Sequence, residues 1–122
     1  MKRNLLLIAA AFMLCACEKD LAPILEHSTY CHIDTNAYGE PSWKRLLEFG
    51  KPYSNTLTEA SICIGTSGTN IYNIPIIWGY SLHKDTILMQ CYDSSLGWQY
   101  TYAIFKNDSI FYKNRAYHQI DN

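Results

Sequence analysis

The sequence predicts a mainly β protein: a small antiparallel meander forming a barrel or curled sheet, with at most one short helix. Three observations carry this. All ten tyrosines and all three tryptophans fall after residue 20, and aromatic and β-branched side chains favour pleated, half-buried surfaces. From residue 53 onward, short apolar runs alternate with Gly, Asn, Asp and Ser turns, the pattern of successive hairpins. A hairpin is also written twice. Tyr80-Ser81-Leu82-His83-Lys84-Asp85-Thr86-Ile87 matches Tyr102-Ala103-Ile104-Phe105-Lys106-Asn107-Asp108-Ser109-Ile110, with one extra residue in the second turn.

Taken in order, the chain opens with Lys2 and Arg3, then runs apolar or small from Leu5 to Cys17 before Glu18, Lys19 and Asp20. A positive stub and a short apolar core make a signal peptide, since the run is far shorter than the ~20 residues needed to span a membrane. Residues 18–41 are mixed and non-periodic, broken by Pro23, Gly39 and Pro41, and read as a tether with an irregular lead-in. Residues 42–50 offer Ser42 as an N-cap, apolar Trp43, Leu46, Leu47 and Phe49, and Gly50 as a stop. One short helix fits, and so does a first strand carrying Trp43, because so short a window does not settle the period.

Strands follow at 57–64, at 71–82, at 86–92, at 98–105, at 109–113 and at 116–120, with 65–68 as a turn. Pro75 divides the second of these, since it cannot donate to a ladder and implies an edge or bulge. In the repeat, Ile76, Trp78, Tyr80 and Leu82 align with Trp98, Tyr100, Tyr102 and Ile104, so the two sets should share one face of one sheet. Trp78, Tyr80, Trp98, Tyr100 and Tyr102 are therefore the candidate ligand or partner face. In a closed barrel they are core; on an open sheet they would receive an apolar ligand, a glycan or a partner protein.

The end of the apolar run, Leu14-Cys15-Ala16-Cys17, resembles the bacterial lipobox. That resemblance implies cleavage after Ala16 and a diacylglycerol thioether on Cys17, an anchor whose acyl chains each add about 0.8 kcal/mol per buried methylene. The expected organisation is thus a signal at 1–16, a lipid-anchored tether at 17–41 and one β domain at 42–122. Glu18 and Asp20 look like the acidic export tag of Bacteroidota lipoproteins, which implies the outer membrane, facing either the periplasm or the cell surface. A lipobox, a tether and a meander with Lys-Asp turns together resemble the small lipocalin-like lipoproteins of that phylum, although the opening Gly-x-Trp signature of lipocalins is missing. Asp85-Thr86-Ile87 and Asp108-Ser109-Ile110 resemble that phylum's O-glycosylation acceptor, and equally the Asp-ended hairpin turn that folding alone would select.

Composition narrows the function. With Lys2 and Arg3 removed, eight basic side chains face eleven acidic ones, a balance that argues against nucleic acid. Cys31, Cys63 and Cys91 are an odd set, so at most one pair can form among them and the spacing does not choose it. His27, His32, His83 and His118 lack the i, i+4 spacing of a helical metal site. Adjacent Cys31 and His32 point to opposite sides of an extended chain, so no metal or other cofactor is expected. Gly65-Thr66-Ser67-Gly68 lacks the Lys and helix of a phosphate loop, and no cysteine or serine has a recognisable base beside it. The chain is expected to be no enzyme. Two functions remain: a lipid-anchored module binding a small apolar or glycan ligand in a lipocalin-like barrel, or an envelope interaction protein (an inhibitor, immunity factor or accessory subunit) that binds a protein partner.

Overall fold

All strand pairings among the described residues are antiparallel, all but two of them between sequence neighbours, and the last strand pairs with the first. The computed structural model describes residues 21–51, 53–64 and 70–120, with backbone alone at 70–72. The signal segment, Cys17 and the 65–68 turn lie outside the described residues. A short helix α1 (Leu21–Leu25) precedes strands β1 (Thr29–Thr35), β2 (Pro41–Phe49), β3 (Thr56–Ile64), β4 (Asn70–Tyr72) and β5 (Ile76–His83). Then come β6 (Thr86–Asp93), β7 (Gly97–Lys106), β8 (Ser109–Tyr112) and β9 (Arg115–Ile120).

β3 receives β4 on its second half, Ile62 opposite Tyr72, and β5 on its first half, Leu57 opposite Trp78. The two pieces occupy one seat in the ring, separated by Asn73, Ile74 and Pro75. Pro75 has no N–H to give a ladder, and the strand breaks beside it. The result is a closed eight-stranded up-and-down barrel, an architecture that removes most sheet edges.

Tight turns set the hairpins. Asn107 and Asp108 both sit at positive φ, as do Lys113 and Asn114, the signature of type I′ turns whose twist matches that of the flanking strands. At the 84–85 turn only Lys84 is left-handed. Gly50, at φ 78°, packs so closely on His27 that an added Cβ would lie 3.2 Å from its Nδ1.

The core lies within the barrel towards one end, where α1 seats Leu21 and Leu25 in it. Residues four apart share a helix face, which is how five residues plug the barrel. Tyr30, Leu47, Phe49, Leu57, Trp78, Ile87, Met89, Ala103, Phe105, Ile110, Tyr112 and Tyr117 complete the buried cluster. Tyr30 meets Phe49 and Phe105 edge-on at 6.0 and 6.5 Å, and Phe49 meets Tyr80 at 5.3 Å, the preferred aromatic geometry.

The lead-in departs from expectation. Residues from 21 onward belong to the barrel rather than to a tether, because the helix plugs its end and β1 closes its ring. The segment at 42–50 takes the strand reading of its two, carrying Trp43 in β2, and the short helix lies earlier. Cys31, Cys63 and Cys91 are free thiols, Cys31 buried and the others half-buried.

Candidate functional site

The five aromatic residues of the repeat do not share a face. Trp78 is 6% exposed in the core and Tyr80 packs against it, whereas Trp98, Tyr100 and Tyr102 are 58%, 72% and 60% exposed. The cause is strand length. β5 ends at His83, three residues after Tyr80, while β7 runs to Lys106, four residues after Tyr102. A one-residue offset reverses every side chain. Tyr80 is therefore level with Met89 and Thr101 on the inner face, and Tyr102 with Leu88 on the outer.

The outer face of the β6–β7 hairpin carries a ladder of cross-strand pairs: Leu88 with Tyr102, Gln90 with Tyr100, Tyr92 with Trp98. Tyr92 and Trp98 meet edge-on, ring centres 5.6 Å apart. Ile104 and Phe111 extend the apolar surface onto β8. Two shallow depressions flank it. One, of about 500 Å³, lies over Gly79 and Ser81 beside Leu88, Gln90 and Tyr100. The other, of about 670 Å³, runs between Tyr102 and the β8–β9 turn at Lys113, Asn114 and Arg115. Contiguous exposed apolar patches are a general feature of interaction surfaces, and Trp and Tyr are among the residues that dominate binding energy at protein interfaces.

At the end of the barrel away from α1, the interior is charged. The Asp34 carboxylate accepts from Arg45 Nε at 2.6 Å and from Arg115 Nε at 3.2 Å. His32 Nε2 lies 3.0 Å from it, with Nδ1 2.8 Å from the Ala116 carbonyl. Partial burial pushes the Asp34 carboxyl up, but the hydrogen bonds and charges of Arg45 and Arg115 outweigh this and hold it below its ordinary value. Beside it, Glu59 accepts from Tyr112 Oη at 2.8 Å and Trp78 Nε1 at 3.0 Å, with Lys113 Nζ 3.5 Å away. Burial raises the Tyr112 hydroxyl, and the hydrogen bond to Glu59 raises it further. These groups satisfy one another, as inward polar groups must, and they tie β1, β2 and β9 together at one node and β3, β5 and β8 at the other.

The sequence reading missed this network. Tyr30, His32 and Asp34 alternate as a strand should, but two of the three are polar, so the segment registered as non-periodic. The remaining candidates are placed as follows. Ser109 is buried with its hydroxyl 3.0 Å from His118 Nδ1, while Thr86 is half-buried at the start of β6. Burial pushes the Cys31 and Cys91 thiols up, which lowers their thiolate fraction and their nucleophilicity.

No family model matches the chain. Neither a curated protein nor a solved structure is significantly similar to it.

Proposed function

We propose that the chain is a non-catalytic bacterial envelope lipoprotein, anchored through Cys17, that binds a protein partner by the outer aromatic ladder of β6 and β7. One observation carries the reading: Trp98, Tyr100 and Tyr102 stand on the outside of a barrel whose inside is already packed. They hold up no core. Large aromatics exposed in register on a rigid hairpin supply contact area at little cost in side-chain freedom, and they suit a partner surface better than an enclosed small ligand. A ligand pocket inside the barrel would have drawn its lining from these same residues, and three of the five point away from it. The up-and-down barrel is an arrangement lipocalins also use, here serving as a scaffold for its exterior. The lipobox resemblance at 14–17 supports the anchor, and Glu18 and Asp20 support an outer-membrane address, periplasmic or at the cell surface.

Photo-crosslinking residues placed at Trp98 or Tyr102 in cells should yield a discrete protein adduct, and the same group at Ile33, exposed on β1, should not. Adducts of equal yield from all three positions would overturn the reading. For the anchor, Cys17→Ala should release the protein from the membrane fraction and abolish labelling by a fatty-acid probe; unchanged labelling would refute lipidation.

A further inference from the structure

The edge of β7 is a separate feature from the ladder. β8 pairs with β7 only at Ile104, Phe105 and Lys106, while β6 pairs with β7 back to Gly97. Residues 97–103 therefore have, among the described residues, no strand on the side away from β6. Phe105 N donates to Asp85 O on the β6 side, so odd-numbered residues of β7 bond to β6 and even-numbered ones face outward in the plane of the sheet. Ile104 and Lys106 use those groups on β8. Trp98, Tyr100 and Tyr102 hold theirs away from β6, and Tyr102 borders the 670 Å³ depression that ends at Lys113, Asn114 and Arg115.

An open edge is ordinarily blunted by charge, proline or a bulge, because it templates pairing with another chain. This one carries none of these. Residues 94–105 are twelve successive positions without a charge or a proline. The stretch Trp98-Gln99-Tyr100-Thr101-Tyr102 also has the same character in either direction, aromatic at each even position and polar between.

We infer that this edge pairs with the same edge of a second copy, antiparallel about a two-fold axis at Tyr100. The register sets Tyr100 opposite Tyr100 of the second copy, and Trp98 opposite its Tyr102. All are even-numbered, so the outward N–H and C=O groups meet as hydrogen-bonded pairs with Cα atoms ~5.5 Å apart. Their side chains rise on one face, where facing aromatics stabilise cross-strand contacts. The interface is isologous, so it closes at two copies. It also joins the two outer ladders into one surface.

The test uses two differently tagged full-length chains, coexpressed and extracted in detergent, with one captured and the other quantified. Wild-type copies should be recovered together. Tyr100→Lys in both copies sets like charges against each other across the axis, and recovery should fall at least tenfold; Tyr100→Glu in both should do the same. Mixing the Lys chain with the Glu chain should restore recovery, which no loss of folding could mimic. Three results would overturn the inference: no joint recovery of wild-type chains, recovery unaffected by Tyr100→Lys, or a Lys and Glu mixture no better than either alone. The inference stands on the strand's edge and not on its outer face. A Trp98 adduct with the mass of two copies of this chain and no other protein adduct, with intact joint recovery, would therefore remove only the proposed partner.

Discussion

The hairpins that begin with β5 and with β7 are written in nearly the same residues and do opposite things. In the first, Trp78 and Tyr80 fill the barrel; in the second, Tyr100 and Tyr102, their counterparts, stand in solvent. Composition cannot separate them, since an aromatic residue favours either side of a pleated sheet. What separates them is the distance to the turn, because side chains alternate with a period of two and the turn fixes the register. One residue of strand length converts a core element into a display element.

The sharpest way to break this comparison is to equalise the lengths. Inserting one residue between Leu82 and His83 should turn Trp78 and Tyr80 outward and set Ile77 and Gly79 towards the core. The barrel would lose its largest inward side chain along with its hydrogen bond to Glu59. That loss, together with the cavity, rivals the ~5–15 kcal/mol that holds a domain of this size folded. The expected outcome is an unfolded chain, seen as collapsed dispersion in its NMR spectrum. The same insertion within the exposed tip at Ser94 and Ser95 should leave the dispersion intact.

A smaller effect is expected of Trp78→Ala. It empties a buried position and leaves Glu59 without one of its donors, a change of about 3–5 kcal/mol readable as a shift in urea midpoint at unchanged slope. A loss below about 1 kcal/mol would mean that the two hairpins differ less than their burial implies.

How far the sequence reveals this molecule follows from the same contrast. The strands from residue 57 onward are legible because apolar alternation and turn residues agree there, and Pro75 marks the break between β4 and β5. The closed ring is not legible, since the pairing of β9 with β1 joins Thr29 to Ile120 across the whole chain. β1 itself is obscured by His32 and Asp34, which occupy inward positions as part of a charged node rather than as apolar core. Helix α1 is obscured by Pro23 and by its length, five residues being too few for a periodic signal. The ladder residues were visible as a set, but their side of the sheet depended on one residue of offset that a gapped repeat hides.

The charged node offers a third test, smaller again, of the inside of the barrel. Asp34 is held below its ordinary value in the fold, so it binds fewer protons there than in the unfolded chain. Its contribution is present above the unfolded value of ~3.9 and is lost as pH falls through the lower folded value. Asp34→Asn should cost about 1–2 kcal/mol at neutral pH, because Arg45 and Arg115 lose a charged acceptor. It should also flatten the acid limb of the stability curve, so that variant and wild type converge at low pH. Parallel curves would show that the node contributes packing alone.

The smallest effect is expected at Trp98. Its side chain touches Tyr92 across the ladder and otherwise meets solvent, so Trp98→Ala forfeits one edge-on aromatic pair, worth about 0.5–1.5 kcal/mol at most. Measured in urea at a concentration low enough for single barrels, the midpoint should move by no more than about half of the shift produced by Trp78→Ala. Two tryptophans at neighbouring positions of one written repeat would then differ about twofold or more in what they give the fold. A residue that contributes so little to stability while exposing so much apolar surface has its role outside the monomer. That places the explanation of Trp98, Tyr100 and Tyr102 in what the hairpin touches. A shift as large as that of Trp78→Ala would instead return these side chains to the core and remove the ground for a binding face on β7.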